Sequence, residues 1–325
     1  MTLPTLLPTP APLTLGTQPD LQEEAAQVTR YLVENLAPST RRVYQCDWAR
    51  FTAWCADKQL TALPASGETV AAFLAAEAAQ GRRVATLRHR LAAIRLAHHL
   101  AEQPNPTALH LVQATLAGIT RVHGAAQEQK APAVAAILKQ MVDTLDPTTR
   151  QGRRDRALLT LGFASAMRRS ELVAMTVADL EFTAEGVRIH IPRSKTDQQG
   201  KGQVVPVIRG ADYCPVAALQ AWLTVAGIIS GPVFRRMRRG DHVTAQPLTD
   251  RSVADIVKRC AAACGLDPAA YAGHSLRAGF LTSAAQAKAD LYKLMEISRH
   301  TDPKSVLRYI RRADEYQDHA GKGLL

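Results

Sequence analysis

Two runs, Val187-Arg188-Ile189-His190-Ile191 and Val204-Val205-Pro206-Val207-Ile208, flank a polar, glycine-containing loop that opens with Arg193, Ser194 and Lys195. Both runs are apolar and β-branched, so they predict a β-hairpin. It is the one clear β signal in the chain; Val233–Arg239 is a second, shorter candidate for a strand and turn. Everything around them reads as helix. Ala and Leu dominate, and aromatic residues make up only 5%, a balance that favours helices over sheets. The expected fold is mainly α: an all-helical N-terminal domain, then an α-rich domain interrupted by a small hairpin or sheet.

At 325 residues the chain exceeds the usual size of one core, which predicts two domains. Residues 1–20 are Pro, Leu and Thr with almost no charge and predict a loose arm. The first domain is expected over 21–124. Ser39 or Thr40 after Pro38 caps a helix carrying Tyr44, Trp48, Phe51 and Trp54 at helical spacing, which marks these rings as core rather than as base-stacking platforms. Further helices are expected over 67–80, 86–99 and 108–122, with Leu87, Leu91, Ile94 and Leu100 inward. Polar residues 125–132 read as a linker and 133–313 as the second domain, with helices running from Asp250 to Ala313. Residues 314–325 form a short tail.

The net charge of +11 and pI near 9.7 make polyanions natural partners. The excess is uneven: residues 1–125 carry 11 Lys/Arg against 9 Asp/Glu, and residues 126–325 carry 29 against 20. Five cysteines, Cys46, Cys55, Cys214, Cys260 and Cys264, include no C-x-x-C pair and no nearby His to complete a zinc set, so buried free thiols in a reducing cytoplasm are expected. No apolar run is long enough for a membrane span, and no signal peptide is evident.

The basic second half also holds the side chains that phosphodiester cleavage by a hydroxyl requires. Such a reaction needs cations on the non-bridging oxygens, an acceptor for the nucleophile's proton and an acid for the leaving oxygen. Arg168 stands three residues before Glu171, on one face of a helical turn. Lys195 sits at the hairpin loop. Gly273-His274-Ser275-Leu276-Arg277 opens an Ala-rich helix with His274 and Arg277 on one face. Asp302-Pro303 starts a helix bearing Tyr309, nine residues beyond His300, with Val306, Leu307 and Ile310 inward. Each of these has a bland alternative alone: a surface ion pair, a solvated turn lysine, a capping histidine, a half-buried structural tyrosine. Two basic clusters are candidate DNA contacts. One is Arg235, Arg236, Arg238 and Arg239. The other is Arg82, Arg83, Thr86, Arg88, His89 and Arg90, with Thr86, His89 and Arg90 aimed at a major groove. Arg41 and Arg42 join them. Solvated faces are the alternative for all.

Taken together, Met167-Arg168-x-x-Glu171-Leu172, Ser194-Lys195-Thr196, Gly273-His274-Ser275-Leu276-Arg277, and His300 followed by Arg308-Tyr309-Ile310-Arg311 resemble the tyrosine recombinase (phage integrase) family. The first half is similar to the core-binding domain of its Cre-like members, on Trp48-x-x-Phe51-x-x-Trp54-Cys55 and the Gly81–Leu91 segment. The resemblance implies that Arg168 and Arg277 grip the scissile phosphate and that Tyr309 attacks it to give a 3′-phosphotyrosyl link. By the same resemblance Lys195 protonates the departing 5′ oxygen, His274 assists proton transfer at the tyrosine, His300 donates to the phosphate and Glu171 supports. It implies double-stranded DNA with a specific recombination site as partner, a homo-tetramer on two duplexes, a Holliday junction, and no metal or ATP. Two departures stand out. Arg299 occupies a position where the family often has a small residue, and the tail offers only 314–319 as a helix to dock on a neighbouring subunit. A type IB topoisomerase-like relaxase and a non-catalytic DNA-binding protein on the same scaffold remain the alternatives.

Overall fold

The structure is a computed structural model that describes residues 7–10, 19–124, 129–192 and 202–313. The chain divides into two compact units, residues 1–128 and 129–325.

The first unit is built from five helices: α1 (Gln22–Glu34), α2 (Pro38–Asp57), α3 (Gly67–Ala79), α4 (Val84–Leu100) and α5 (His110–His123). Proline at the first position starts α2, and Ala37 rather than Ser39 or Thr40 is its cap, because Pro38 already has the helical φ and no N–H to satisfy. Ser66 caps α3 by accepting from the Thr69 N–H at 3.1 Å. The aromatic spacing along α2 becomes packing. Phe51 is fully buried, 5.1 Å from the Phe73 ring in an edge contact, and Trp54 lies 5.4 Å from the same ring. Burying a phenylalanine this completely contributes about 1.5–3 kcal/mol. Leu87, Leu91 and Ile94 of α4 close the core from the other side. Within it the His98 Nδ1 donates to the Ile94 carbonyl at 2.8 Å, which leaves Nε2 to accept from the Ala65 N–H at 2.9 Å. Burial keeps that ring neutral by lowering its pKa.

The second unit opens with α6 (Ala135–Asp143), α7 (Arg150–Ala164) and α8 (Arg169–Ala174). Residues expected to be linker are already part of it: the Ala131 N–H donates to the Ala270 carbonyl at 2.8 Å. A three-stranded antiparallel sheet follows, β1 (Leu180–Phe182), β2 (Gly186–Ile191) and β3 (Gln203–Ile208), in that spatial order. The hairpin read from the sequence is β2–β3, with Val187 opposite Val207 and Ile189 opposite Val205, and β1 extends it. Val187, Ile189 and Ile191 face the core while Arg188 and His190 face out. Pro206, which cannot donate to a ladder, lies on the edge strand β3. The loop with Arg193, Ser194 and Lys195 lies outside the described residues, as does the tail over 314–325.

Beyond the sheet come α9 (Pro215–Ala226), the hairpin β4 (Arg235–Arg238) and β5 (His242–Pro247), then α10 (Asp250–Ala263), α11 (Ser275–Gln286), α12 (Leu291–Ser298) and α13 (Pro303–Ala313). Helix α7 is the axis of the unit. Leu158, Leu159 and Leu161 are fully buried, and Asp155, equally buried, pairs with Arg154 at 2.7 Å and with Arg259 of α10. Helix α11 lies so close to the chain entering α6 that a side chain at Gly279 would meet the Ala133 backbone carbonyl. The turn of the β4–β5 hairpin reaches the start of α7: the Asp241 carboxylate accepts the N–H groups of Arg150 at 2.6 Å and Gln151 at 2.8 Å, satisfying donors a helix start leaves free. Of the cysteines, Cys55 and Cys260 are buried, but Cys46 is exposed, against expectation, on the outer face of α2. Among the described residues no helix is long and apolar enough to cross a membrane.

Candidate active site

Three pieces of the second unit converge: the turn from α7 into α8, the start of α11, and the run from the end of α12 into α13. Helix α7 stops at Ser165, and Ala166 then takes a positive φ of 46°. That turn presents the Ala166 carbonyl to Arg277, whose Nη1 donates to it at 2.7 Å. Arg168 sits one residue before α8 and is held twice by Glu171. Its N–H donates to Oε2 and its Nη1 to Oε1, both at 2.8 Å. The sequence placed both residues within one helical turn; in the structure Arg168 is the cap and Glu171 the third residue of the helix.

Arg277 is 1% exposed on α11. Burial, with Arg168 and Arg299 nearby, pulls its pKa down to about 9, still high enough to keep it protonated at neutral pH. Its Nη2 lies 3.2 Å from His300 Nε2 and 3.3 Å from Nδ1. His300 Nδ1 lies 2.8 Å from Ser298 Oγ, and that hydroxyl spends its proton on the Leu294 carbonyl at 2.5 Å. Ser298 therefore accepts from Nδ1–H, and the network assigns His300 as the neutral tautomer with a bare Nε2 facing Arg277.

Tyr309 is half-buried on α13, beside Val306 and Ile310, where Asp302 starts the helix by accepting the Lys304 N–H at 3.0 Å. Its hydroxyl lies 3.2 Å from His274 Nε2. Burial raises the phenol pKa, against the pull of Arg277 and Arg308, so the resting tyrosine carries its proton. Surrounding protein and the guanidiniums of Arg277, Arg168 and Arg169 lower the His274 pKa. Because the His274 side chain is exposed, those three cations carry that argument better than desolvation does. The pair is thus a protonated phenol beside a neutral imidazole, the arrangement in which an imidazole accepts a proton as the phenol attacks.

Burial, then Arg277, Arg168, His274 and Arg299, push the His300 pKa down to about 4. An unperturbed histidine titrates near 6.5, so below that pH the unfolded chain binds the proton more tightly than the folded one. The contribution of this group to stability is therefore complete above about pH 6.5 and is lost as the pH falls to about 4. His98 and His274 shift in the same direction. The thermal midpoint of the chain should fall across that window, and His300→Gln should remove part of the fall. A variant with the wild-type pH slope would show that other groups account for it.

The structure brings Arg168, Glu171, His274, Arg277, His300 and Tyr309 together; Lys195 lies outside the described residues. Sequence reasoning missed Ser298, which sets the tautomer of His300, and the partner of Arg299, whose Nη2 donates to Glu171 Oε2 at 2.6 Å. The only signal was their adjacency to His300.

The basic clusters fare unevenly. Arg42, Arg82, Arg83, Arg88 and His89 are exposed, while Arg41 and Thr86 are half-buried. Arg90 corrects the expectation of a groove-facing side chain. It is 8% exposed, because it shares the inward stripe of Leu87, Leu91 and Ile94, and its guanidinium pairs with buried Glu77 and lies 5.8 Å from the Phe73 ring centre. In the hairpin, Arg236, Arg238 and Arg239 are exposed. Arg235 instead folds back, donating to the Pro232 and Ser230 carbonyls.

Residues 135–316 match the phage integrase family. The chain is 39% identical over 296 residues to an integrase/recombinase XerD homolog of Selenomonas ruminantium, covering 90% of this chain and 86% of that one. It is 28% identical over 301 residues to a tyrosine recombinase of Synechococcus elongatus, covering 88% of each. Among solved structures it resembles the site-specific recombinase XerH bound to a palindromic difH substrate in a post-cleavage complex. The TM-score is 0.67 at 17% identity, over 93% of this chain and 83% of that one. A lambda integrase dimer bound to a core site gives 0.58 at 15% identity, over 92% of this chain and 79% of that one. At those identities the structural likeness shows the fold, and the family follows from the matched segment and the 39% relative. A buried arginine beside a half-buried one, a tyrosine beside an imidazole, and these relatives lead to one conclusion: this chain belongs to the phage integrase family, the tyrosine recombinases.

Proposed function

We propose that the protein is a site-specific DNA recombinase that cuts and rejoins strands through Tyr309. The observation that carries this reading is the 3.2 Å contact between the Tyr309 hydroxyl and His274 Nε2, beside buried Arg277 and the Glu171-held Arg168. In the proposed cleavage, Arg168 and Arg277 hold the non-bridging oxygens of the scissile phosphate, because their forks match two oxygens and keep their charge. The Tyr309 oxygen attacks phosphorus as its proton passes to His274 Nε2. The P–O5′ bond breaks, the 5′ oxygen takes a proton from Lys195, and a 3′-phosphotyrosyl ester remains. The 5′-hydroxyl of a partner strand then attacks that ester and releases Tyr309. The ester conserves the bond energy, so rejoining needs no nucleotide hydrolysis.

His300 supports the phosphate through Arg277. With the Nδ1 proton directed to Ser298, donation from Nε2 to phosphate requires a second proton on the ring. We assign residues 21–124 to DNA binding, 133–313 to catalysis and 314–325 to docking on a neighbouring subunit. The assembly is a homo-tetramer on two duplexes passing through a Holliday junction, acting in the cytoplasm on nucleoid DNA. Exposed Arg236, Arg238 and Arg239, with Arg42, Arg82, Arg88 and His89, supply candidate phosphate and groove contacts.

Strand fate tests the reading. The chain is first trapped covalently on fragmented DNA from its own source to find its site, and two duplexes bearing that site are then incubated together. Recombinant duplexes and a four-way intermediate are expected. Relaxation of supercoils on any sequence, without recombinants, would establish the topoisomerase alternative instead. Salt-sensitive binding with no adduct on any duplex would establish a non-catalytic protein.

A further inference from the structure

Arg299 sits where this chain departs from the pattern it resembles, and its surroundings are unusual. It ends α12 in the left-handed region, φ 57° and ψ 43°, a conformation that glycine takes freely and a residue with a Cβ resists. Its side chain then turns inward and is only 3% exposed. Nη2 donates to Glu171 Oε2, the oxygen that also accepts the Arg168 N–H, while Arg168 Nη1 occupies Oε1. Glu171 is thus a shared carboxylate between two guanidiniums. The Arg299 Nε and Nη1 are enclosed and have no hydrogen-bond partner among the described residues.

A turn alone would be served by glycine. A buried cation on a disfavoured backbone needs an offsetting contact, and the contact it makes is with the group that orients Arg168. We propose that Arg299 is a positioning residue for strand cleavage: it holds the Glu171 carboxylate in place and thereby fixes the fork of Arg168 for the scissile phosphate. The role rests on the reading of this centre as a phosphodiester-cleaving site. One carboxylate is shared by Arg168 and Arg299 with Arg277 beside them, so the centre keeps a net positive charge toward a phosphate.

The test is single-turnover cleavage of a nicked duplex bearing the site, with DNA affinity and thermal midpoint measured on the same full-length chains. Arg299→Gly should keep affinity within about twofold and a midpoint no lower than wild type, yet cleave roughly 10- to 100-fold more slowly, as expected when a catalytic group is misplaced. Arg299→Lys, which keeps charge and bulk but loses the fork, should recover part of the rate. In a Glu171→Gln background, Arg299→Gly should cost little more, because both act through one carboxylate. A wild-type rate in Arg299→Gly overturns the role, and so does a loss of the same size with and without Glu171. If glycine lowers the midpoint, Arg299→Lys decides: wild-type cleavage by that variant overturns the role, and slower cleavage with intact affinity sustains it. A wild-type chain that makes no Tyr309-linked adduct overturns the reading of the site itself and this role with it.

Discussion

Replacing Tyr309 by phenylalanine is expected to abolish the covalent protein–DNA adduct while leaving DNA affinity within about tenfold, since no more than one hydrogen bond of about 0.5–1.5 kcal/mol is lost. The change removes one atom. Phenylalanine keeps the ring against Val306 and Ile310, so the packing of α13 on α11 survives. What disappears is the oxygen 3.2 Å from His274 Nε2, and with it the proposed phosphotyrosyl link. The outcome is read by denaturing electrophoresis of a nicked duplex that cannot religate. An adduct of undiminished yield would remove Tyr309 from the nucleophile role and force a search among the remaining hydroxyls.

Glu77→Ala should destabilise the first unit by about 3–5 kcal/mol, the usual cost of stranding one member of a buried ion pair. The Glu77 side chain is wholly enclosed and meets Arg90, itself 9% exposed, with Arg50 at 3.1 Å and Arg82 at 3.8 Å. Without it the Arg90 guanidinium keeps only Asp47, at 3.8 Å, inside an apolar shell. Hydrogen exchange resolved over α2, α3 and α4 separates this loss from the behaviour of the second unit. Replacing both partners by methionine should restore most of the stability, because neither charge is then left behind. Single and double variants that exchange alike would mean that water already solvates the pair.

Much of this was legible because it depends on period and on local chemistry. The stripe Trp48, Phe51, Trp54 and the β-branched runs around Val187 and Val205 follow spacing rules that a linear string displays. Pro303 marks a helix start because its ring leaves few alternatives, whereas at Pro38 the Ser39 and Thr40 that follow it read as caps and lie inside the helix. The candidate centre was legible only as an ordered set, since each member alone has an ordinary structural use. What stayed hidden depends on which charge meets which across space. Arg90 and Arg88 lie two positions apart in a basic run, yet one is buried against Glu77 and the other is exposed. The sequence could not display that Glu77, thirteen residues earlier, is the partner. The neutral tautomer of His300 likewise follows from where Ser298 sends its proton, to Leu294. The strained backbone at Arg299 has no counterpart in residue type, because an arginine gives no hint of a positive φ.

The Asp241 tether to the first turn of α7 sets a length scale. One end of that fifteen-residue rod is fastened to the arginine-bearing hairpin, and the other runs out into the turn that meets Arg277. At 1.5 Å per residue the rod spans about 22 Å. On a B-form duplex that is roughly six base-pair steps of 3.4 Å. On the proposed function, the hairpin arginines and the turn beside Arg277 are held a fixed length apart like two jaws of a caliper, so that where the backbone is grasped would decide which bond comes under the tyrosine.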